Sequence, residues 1–369
     1  MQVSSVVRLI KTCGELTSTW PPDPGASTRE TILRESLWLA SLLNVVGLLV
    51  PLMLAVYHYR LELGTVMKSL SELTALSEVF FNLIICKLQR RRLHVWLLSE
   101  LTDYVGNADT GQRLVLQKYS DRYLPFLLCV GSSYFMTAVV FSCGPLIIAN
   151  SLPADAWYPF PVDSLATRCS LYVVQVLAIL QTGLCISVDF MVGMMLWYAT
   201  ARIEMLNRRI KIADSEAQLD SCIEEHQRLI AYVRETCRTV RLIILKGNAT
   251  MAIVVICGGF PLIHHEPFLV VSQFILMVAG GLLRLYVSAW PADDLAEMSE
   301  DVAMSTYCSG WIDGSPRMRK SVLFVVQRSR KPLVISVRGI LPALTLRFYA
   351  SFVSSTLSYF MTARAIFGE

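Results

Sequence analysis

The sequence predicts an all-α membrane protein of seven transmembrane helices, N-terminus inside and C-terminus outside, with helical extensions beyond the membrane that form an anchor. Three observations carry that expectation. Apolar residues make up 54% of the 369 positions and charged residues 17%, with a mean hydropathy of +0.50. The apolar residues fall in blocks of about 20, the length a helix needs to cross the bilayer core. Lysine and arginine crowd every second connection between those blocks, while the alternate ones are nearly bare. The net charge of +4 says little until it is distributed in this way.

The blocks place spans at about 36–57, 63–86, 124–149, 168–198, 240–263 and 268–290, with a last one from Gly339 to Phe367. Lys68, Glu72 and Glu78 interrupt the second, so part of it is expected to face protein or water rather than lipid. No cleavable leader is evident in the first thirty residues, and the first span is expected to act as an uncleaved anchor. Orientation follows from the basic residues. Arg8, Lys11, Arg29 and Arg34 precede the first span, and Arg90, Arg91 and Arg92 follow the second. Arg208, Arg209, Arg238 and Arg241 lie between the fourth and fifth, and Arg317, Arg319 and Lys320 between the sixth and seventh. The N-terminus is therefore expected in the cytoplasm and Glu369 outside, the reverse of a G-protein-coupled receptor.

The basic segments also have helical periodicity. Ile203, Leu206, Ile210, Leu219, Ile223, Leu229 and Val233 recur at helical spacing among charges within 201–245. Residues 290–311 read as a continuation of the sixth span, and 316–332 as a basic amphipathic helix closed by Pro332. The expected divisions are 1–35 as an N-terminal segment, 36–290 as the first six spans with their extensions, 291–335 as anchor helices and 336–369 as the seventh span.

In the last span, Ser351, Ser355, Ser358, Thr362 and Ala365 fall within a band about 80° wide at about 100° per residue. Phe348, Tyr349, Phe352, Val353 and Phe360 occupy other faces. Such a stripe either permits close helix packing or forms a water-facing pore wall. Asp189, inside the fourth span, is either bonded to a neighbouring helix or part of an ion path.

Enzyme chemistry is not indicated. No phosphate loop, zinc-protease motif or nucleophile elbow occurs, and neither a cofactor, a bound metal nor nucleic acid is implied. His264-His265-Glu266 is expected to be solvated in an outer loop. Cys143 and Cys169 flank another such loop, where a disulfide is possible.

Several stretches resemble the insect odorant receptor family. They are SVLFVVQRSRKPLVI (321–335), LTLRFYASFVSSTLSYFMTARAI (344–366), CIEEHQRLIAYVRE (222–235), AWYPFPVDS (156–164) and LAEMSEDVAMSTYCSGW (295–311). The resemblance implies a tuning subunit of a ligand-gated, non-selective cation channel, a heterotetramer with the family's co-receptor in the plasma membrane of a sensory neuron. It implies that the last helix lines the pore, with Thr362 at the gate position and Ala365 at the outer polar ring. A small volatile organic ligand is then expected in the outer half of the bundle. Met67, Ser133, Met136, Thr137, Val140, Tyr172, Gln175, Val176, Ile179, Phe274 and Met277 are the candidate contacts, with Tyr172 and Gln175 favoured because a buried phenol and amide need partners. A related gustatory-type channel lacks support because its terminal TYxxxxxQF pattern is missing. A secondary transporter would require inverted repeats, which are not visible.

Overall fold

Helix ends in this chain are set by short polar residues. Ser27 accepts a hydrogen bond from the Glu30 N–H (3.2 Å), Ser164 from the Thr167 N–H (3.1 Å) and Ser315 from the Met318 N–H (3.1 Å), each capping the helix that follows. The computed structural model describes residues 2–20, 27–147, 152–259, 268–337, 339–341 and 343–367. In chain order the helices are α1 (Val3–Leu16), α2 (Thr28–His58), α3 (Leu63–Leu88), α4 (Ser99–Asn107), α5 (Thr110–Ile147) and α6 (Leu165–Leu184). They continue with α7 (Ser187–Lys211), α8 (Glu216–Gly258), α9 (Phe268–Tyr307), α10 (Pro316–Ser329) and α11 (Leu346–Phe367), and a π-helical turn, Arg92–Leu98, leads into α4. No strand occurs among the described residues, only an isolated bridge between Val337 and Leu341.

Six helical stretches among the described residues are long and apolar enough to cross a membrane: α2, α3, α5, the α6–α7 pair, α8 and α9. With 22 residues, α11 is about 33 Å long and completes a seven-span all-α fold. The expected 168–198 span is in fact two helices, broken at Cys185–Ile186. Just before the break, Gly183 presses against α5, where a Cβ would come within 2.8 Å of the Ala138 Cβ. The last span begins later than expected. Gly339 at φ +81°, a backbone setting that favours glycine, turns the chain beside the Val337–Leu341 bridge before α11 starts.

The extensions expected from periodicity are present, since α5, α7, α8 and α9 all run well past the membrane blocks. They gather at the basic end with α1, α4 and α10. At their centre every residue of α7 from Met191 to Glu204 is buried, the mark of a helix surrounded by others. Its charges are matched. Arg202 pairs with Glu225 and lies 3.9 Å over the Tyr104 ring, and Glu204 accepts from Lys118 (2.9 Å) and Arg208 (2.5 Å). Burial pushes the Glu204 carboxyl up, but hydrogen bonds led by that from Lys118 outweigh it and hold the group below its ordinary range. His226 of α8, buried among these helices near Arg328, is pushed down to about 4, mainly by burial.

The N-terminal segment holds a helix that the sequence reading did not place. Val3, Val6, Val7 and Ile10, at i, i+3, i+4 and i+7, bury one face of α1 in the same core. All ten cysteines are free, Cys143 and Cys169 included, so the loop between them is not closed by a disulfide. His264-His265-Glu266 lies outside the described residues.

Candidate functional site

Among the described residues a cavity of about 120 Å³ sits between the membrane helices, at the end away from the basic extensions. Six helices wall it. Leu48 and Leu52 come from α2, Glu72, Ala75, Leu76 and Glu78 from α3, and Tyr134, Thr137, Ala138 and Phe141 from α5. Ile179 and Thr182 belong to α6, Thr250, Met251 and Val254 to α8, and Leu276, Met277, Gly280, Gly281 and Arg284 to α9. Most of this surface is apolar, with a few polar groups converging on one region, the usual make-up of a small-molecule site.

Its roof is the stretch 152–164 that precedes α6. Ala154 lines the cavity, and its N–H donates to the Gln175 Oε1 at 2.9 Å. The Gln175 Nε2 donates to the Tyr158 hydroxyl at 3.0 Å. The Asp155 N–H donates to Glu72 at 2.9 Å, and the Ser69 hydroxyl donates to the Asp155 carbonyl at 3.0 Å. Trp157 stacks on His58 with ring centroids 4.6 Å apart. A segment without regular structure is thus pinned to α2, α3 and α6.

The floor is charged. Arg284 donates through Nε to Asp189 (2.8 Å) and through Nη2 to Glu78 (2.9 Å), while Glu78 also pairs with Lys246 and accepts from the Thr250 hydroxyl. Side-chain exposures of these four charges run from 5% to 12%. Two acids and two bases cancel formally, so the cluster ties α3, α7, α8 and α9 together without a net charge. In lipid such ties matter, because apolar faces gain little from leaving hydrocarbon. Asp189 therefore bonds a neighbouring helix, and Glu78 faces protein, as the interrupted second span suggests. Arg284 was missed in the sequence reading. A lone arginine within LLRLYV was the available signal.

Of the eleven candidate contacts, Thr137, Ile179 and Met277 line the cavity. The two favoured ones do not. Gln175 is fully buried as the strut of the roof, and Tyr172 donates to the Ser142 carbonyl at 2.9 Å, tying α6 to α5. Buried polar groups need partners, and both found them within the scaffold. Phe274 lies behind the wall, edge-on to Phe141 with centroids 5.8 Å apart. Ser133, Val140, Val176 and Met67 are half-buried away from the cavity lining, and Met136 is exposed at 50%.

On α11 the stripe Ser351, Ser355, Ser358, Thr362 and Ala365 is exposed throughout. The opposite side packs on α8 and α9. Phe352 is half-buried, Thr356 is 3% exposed and the Tyr349 hydroxyl donates to the Leu282 carbonyl at 3.2 Å. The stripe is therefore not the seam that joins α11 to its own bundle. The Thr362 hydroxyl donates to the Ser358 carbonyl at 2.9 Å, one turn back.

Comparison with known proteins adds three findings. A family model described as 7tm Odorant receptor matches residues 62–357, well over half of the chain. Odorant receptor 10 of Aedes albopictus is 25% identical over 158 residues, 42% of this chain and 41% of that protein. Odorant receptor 30a of Drosophila melanogaster is 30% identical over 103 residues, 28% of this chain and 26% of that one. The matched stretches thus span well under two thirds of these relatives. The insect olfactory receptor OR5 from Machilis hrabei, solved in complex with eugenol, superposes with a TM-score of 0.84 over 99% of this chain and 97% of its own, at 14% identity. At that identity the likeness speaks for the fold alone.

Proposed function

The chain belongs to the insect odorant receptor family, and from that premise we propose that it is the odorant-binding subunit of a ligand-gated cation channel. The observation that carries the reading is the cavity, a mostly apolar chamber roofed by a pinned loop and floored by a neutral charge cluster. Such a chamber suits a small volatile organic molecule. The solved OR5 was captured with eugenol, which supports a ligand of similar scale here. The contacts are Tyr134, Thr137, Ile179, Thr250, Met277 and Arg284.

The rest of the reading follows the chain. The Lys/Arg asymmetry puts the basic helices in the cytoplasm, where they anchor a heterotetramer with the co-receptor subunit in the plasma membrane of a sensory neuron. The hydroxyl stripe of α11 lines the conduction path. A stripe exposed on the protomer and opposite its packed edge supports that role.

Recording currents from cells expressing the chain with its co-receptor, against a panel of volatile compounds, tests the proposal. A Cβ on Gly281 meets the Met251, Val254 and Val255 side chains at 3.9 Å, ordinary contact, so Gly281→Val puts its two methyls into the cavity wall. That variant should reach the surface normally and lose about 5- to 30-fold in odorant potency, as about one to two kcal/mol of contact is lost. Unchanged potency would place the odorant elsewhere. Cysteine at Ser355 should react with a small thiol reagent and alter the current, whereas cysteine at Phe352 should not.

A further inference from the structure

We propose that this cavity selects an uncharged oxygen acceptor on its ligand, a carbonyl above all, read by the Arg284 guanidinium and the Tyr134 phenol. The inference rests on the cavity being the odorant site and goes further by naming the chemical class.

The polar groups of the lining can be accounted for one by one. The Thr137 hydroxyl donates to the Ser133 carbonyl and the Thr182 hydroxyl to the Ala178 carbonyl, both at 2.8 Å and both within their own helices. The Thr250 hydroxyl donates to Glu78. All three threonine protons are therefore engaged. Glu78 accepts from Arg284, Lys246 and Thr250, and Glu72 accepts from the Asp155 N–H.

Apart from the Cys185 thiol, a weak donor whose Sγ accepts from the Asn82 amide at 3.5 Å, two donors are left over. The Tyr134 hydroxyl makes no hydrogen bond among the described residues, although its side chain lines the cavity. Arg284 has its Nε on Asp189 and its Nη2 on Glu78, and its Nη1 has no partner among the described residues. The two lie close together on the same wall. The Tyr134 ring rests on Gly280, where a Cβ would stand 3.2 Å from its Cε2, and Arg284 follows one turn later on the same face of α9.

Two unmatched donors beside apolar walls discriminate among ligands. A hydrocarbon displaces water and leaves both unbonded, which carries the full desolvation cost of each. A carbonyl oxygen has two lone pairs and can accept from both. A carboxylate would bond as well, but it brings a charge that the formally neutral floor of Glu78, Asp189, Lys246 and Arg284 does not compensate. A cationic ligand would face the guanidinium.

The test compares acetophenone with α-methylstyrene, which replaces C=O by C=CH2 at nearly the same shape. The full-length purified chain is titrated with each, and binding is read from the rise in unfolding temperature. Wild type should bind acetophenone at least about tenfold more tightly, the effect of hydrogen bonding to a charged donor. Tyr134→Phe keeps the ring on Gly280 and should cut that preference at least about threefold, weakening acetophenone while α-methylstyrene binds as tightly as to wild type or more so. Equal affinities in wild type, or a preference that Tyr134→Phe leaves intact, overturns the proposal. Gly281→Val separates the two readings. If it weakens both compounds alike, the cavity is the site and the selectivity result stands by itself. If both compounds bind it as they bind wild type, or neither binds wild type, the cavity assignment fails and the proposal falls with it.

Discussion

Ile203 and Ile179 are the same residue on successive helices of one bundle, and they do opposite things. Ile203, fully buried at the basic end, is packed between α7 and its neighbours. Ile179 of α6 is half-buried and looks into the cavity. Around the first, the chain is packed like the interior of a soluble protein, with α1, α4, α5, α8 and α9 pressing on a helix buried on every side. Around the second, apolar walls stop short of one another and charged pairs hold the helices in register. The rigid core is thus kept away from the cavity, so that open space between the membrane helices does not weaken the fold.

Breaking the charged floor should have the largest effect. Arg284→Met leaves Glu78 with Lys246 and the Thr250 hydroxyl and takes away the ion pair of Asp189, and removing one partner of a buried cluster costs about 3–5 kcal/mol. Surface expression and the unfolding temperature of the purified chain should both fall sharply. An unchanged melting curve would mean that packing alone holds the cavity walls.

The comparison itself is sharpened by making one substitution at both isoleucines. Ile203→Ala opens a void in packed surroundings and should cost about 3 kcal/mol, whereas Ile179→Ala enlarges a space already present and should cost about 1 kcal/mol. The functional order should be reversed, with Ile179→Ala shifting odorant potency and Ile203→Ala leaving it unchanged in whatever protein folds. Equal destabilisation would show that the cavity is as tightly supported as the core.

A smaller effect is expected at the roof. Gln175→Leu removes two hydrogen bonds, to the Ala154 N–H and the Tyr158 hydroxyl, at about 1–2 kcal/mol. Amide exchange in 152–164 should quicken while the helices stay protected, and odorant should leave faster.

The smallest is a pH effect at the opposite end. His226 titrates near 4 when folded, mainly because burial disfavours its charge, against about 6.5 in an unfolded chain. The unfolded state therefore binds the extra proton first. The contribution is complete above about 6.5 and is lost as pH falls from there toward about 4, costing on the order of 1 kcal/mol at pH 5.5. The melting temperature of wild type should drop between pH 7.5 and 5.5 by more than that of His226→Leu.

How far the sequence could be read depended on whether a signal was local. The apolar blocks and the amphipathic extensions are properties of neighbouring residues, and they were legible. So was the stripe on α11, because helical geometry alone puts Ser351, Ser355, Ser358, Thr362 and Ala365 on one face. The α1 helix carried the same kind of signal in Val3, Val6, Val7 and Ile10, but it is short and lies outside the membrane blocks. The cavity was only partly legible. Thr137, Ile179 and Met277 reach it, but nothing local separates them from Val176 or Val140 one turn away, since a turn of helix rotation decides which side chain faces the void.

The division follows from the range of the forces involved. Composition, periodicity and the run of charges determined by themselves that this chain is a seven-span helical membrane protein with long basic extensions. They also determined that Glu78 and Asp189 had to face protein or water rather than lipid, because a carboxylate in hydrocarbon is too costly to leave alone. Which partners they found was decided only by tertiary structure. Glu78 meets Lys246, Thr250 and Arg284 across separations of 168, 172 and 206 residues, distances over which the sequence carries no register. The same packing turned Gln175 into a roof strut and left the Tyr134 hydroxyl without a hydrogen bond among the described residues, because hydrogen bonds reach only about 3 Å and helix placement alone brings groups that close.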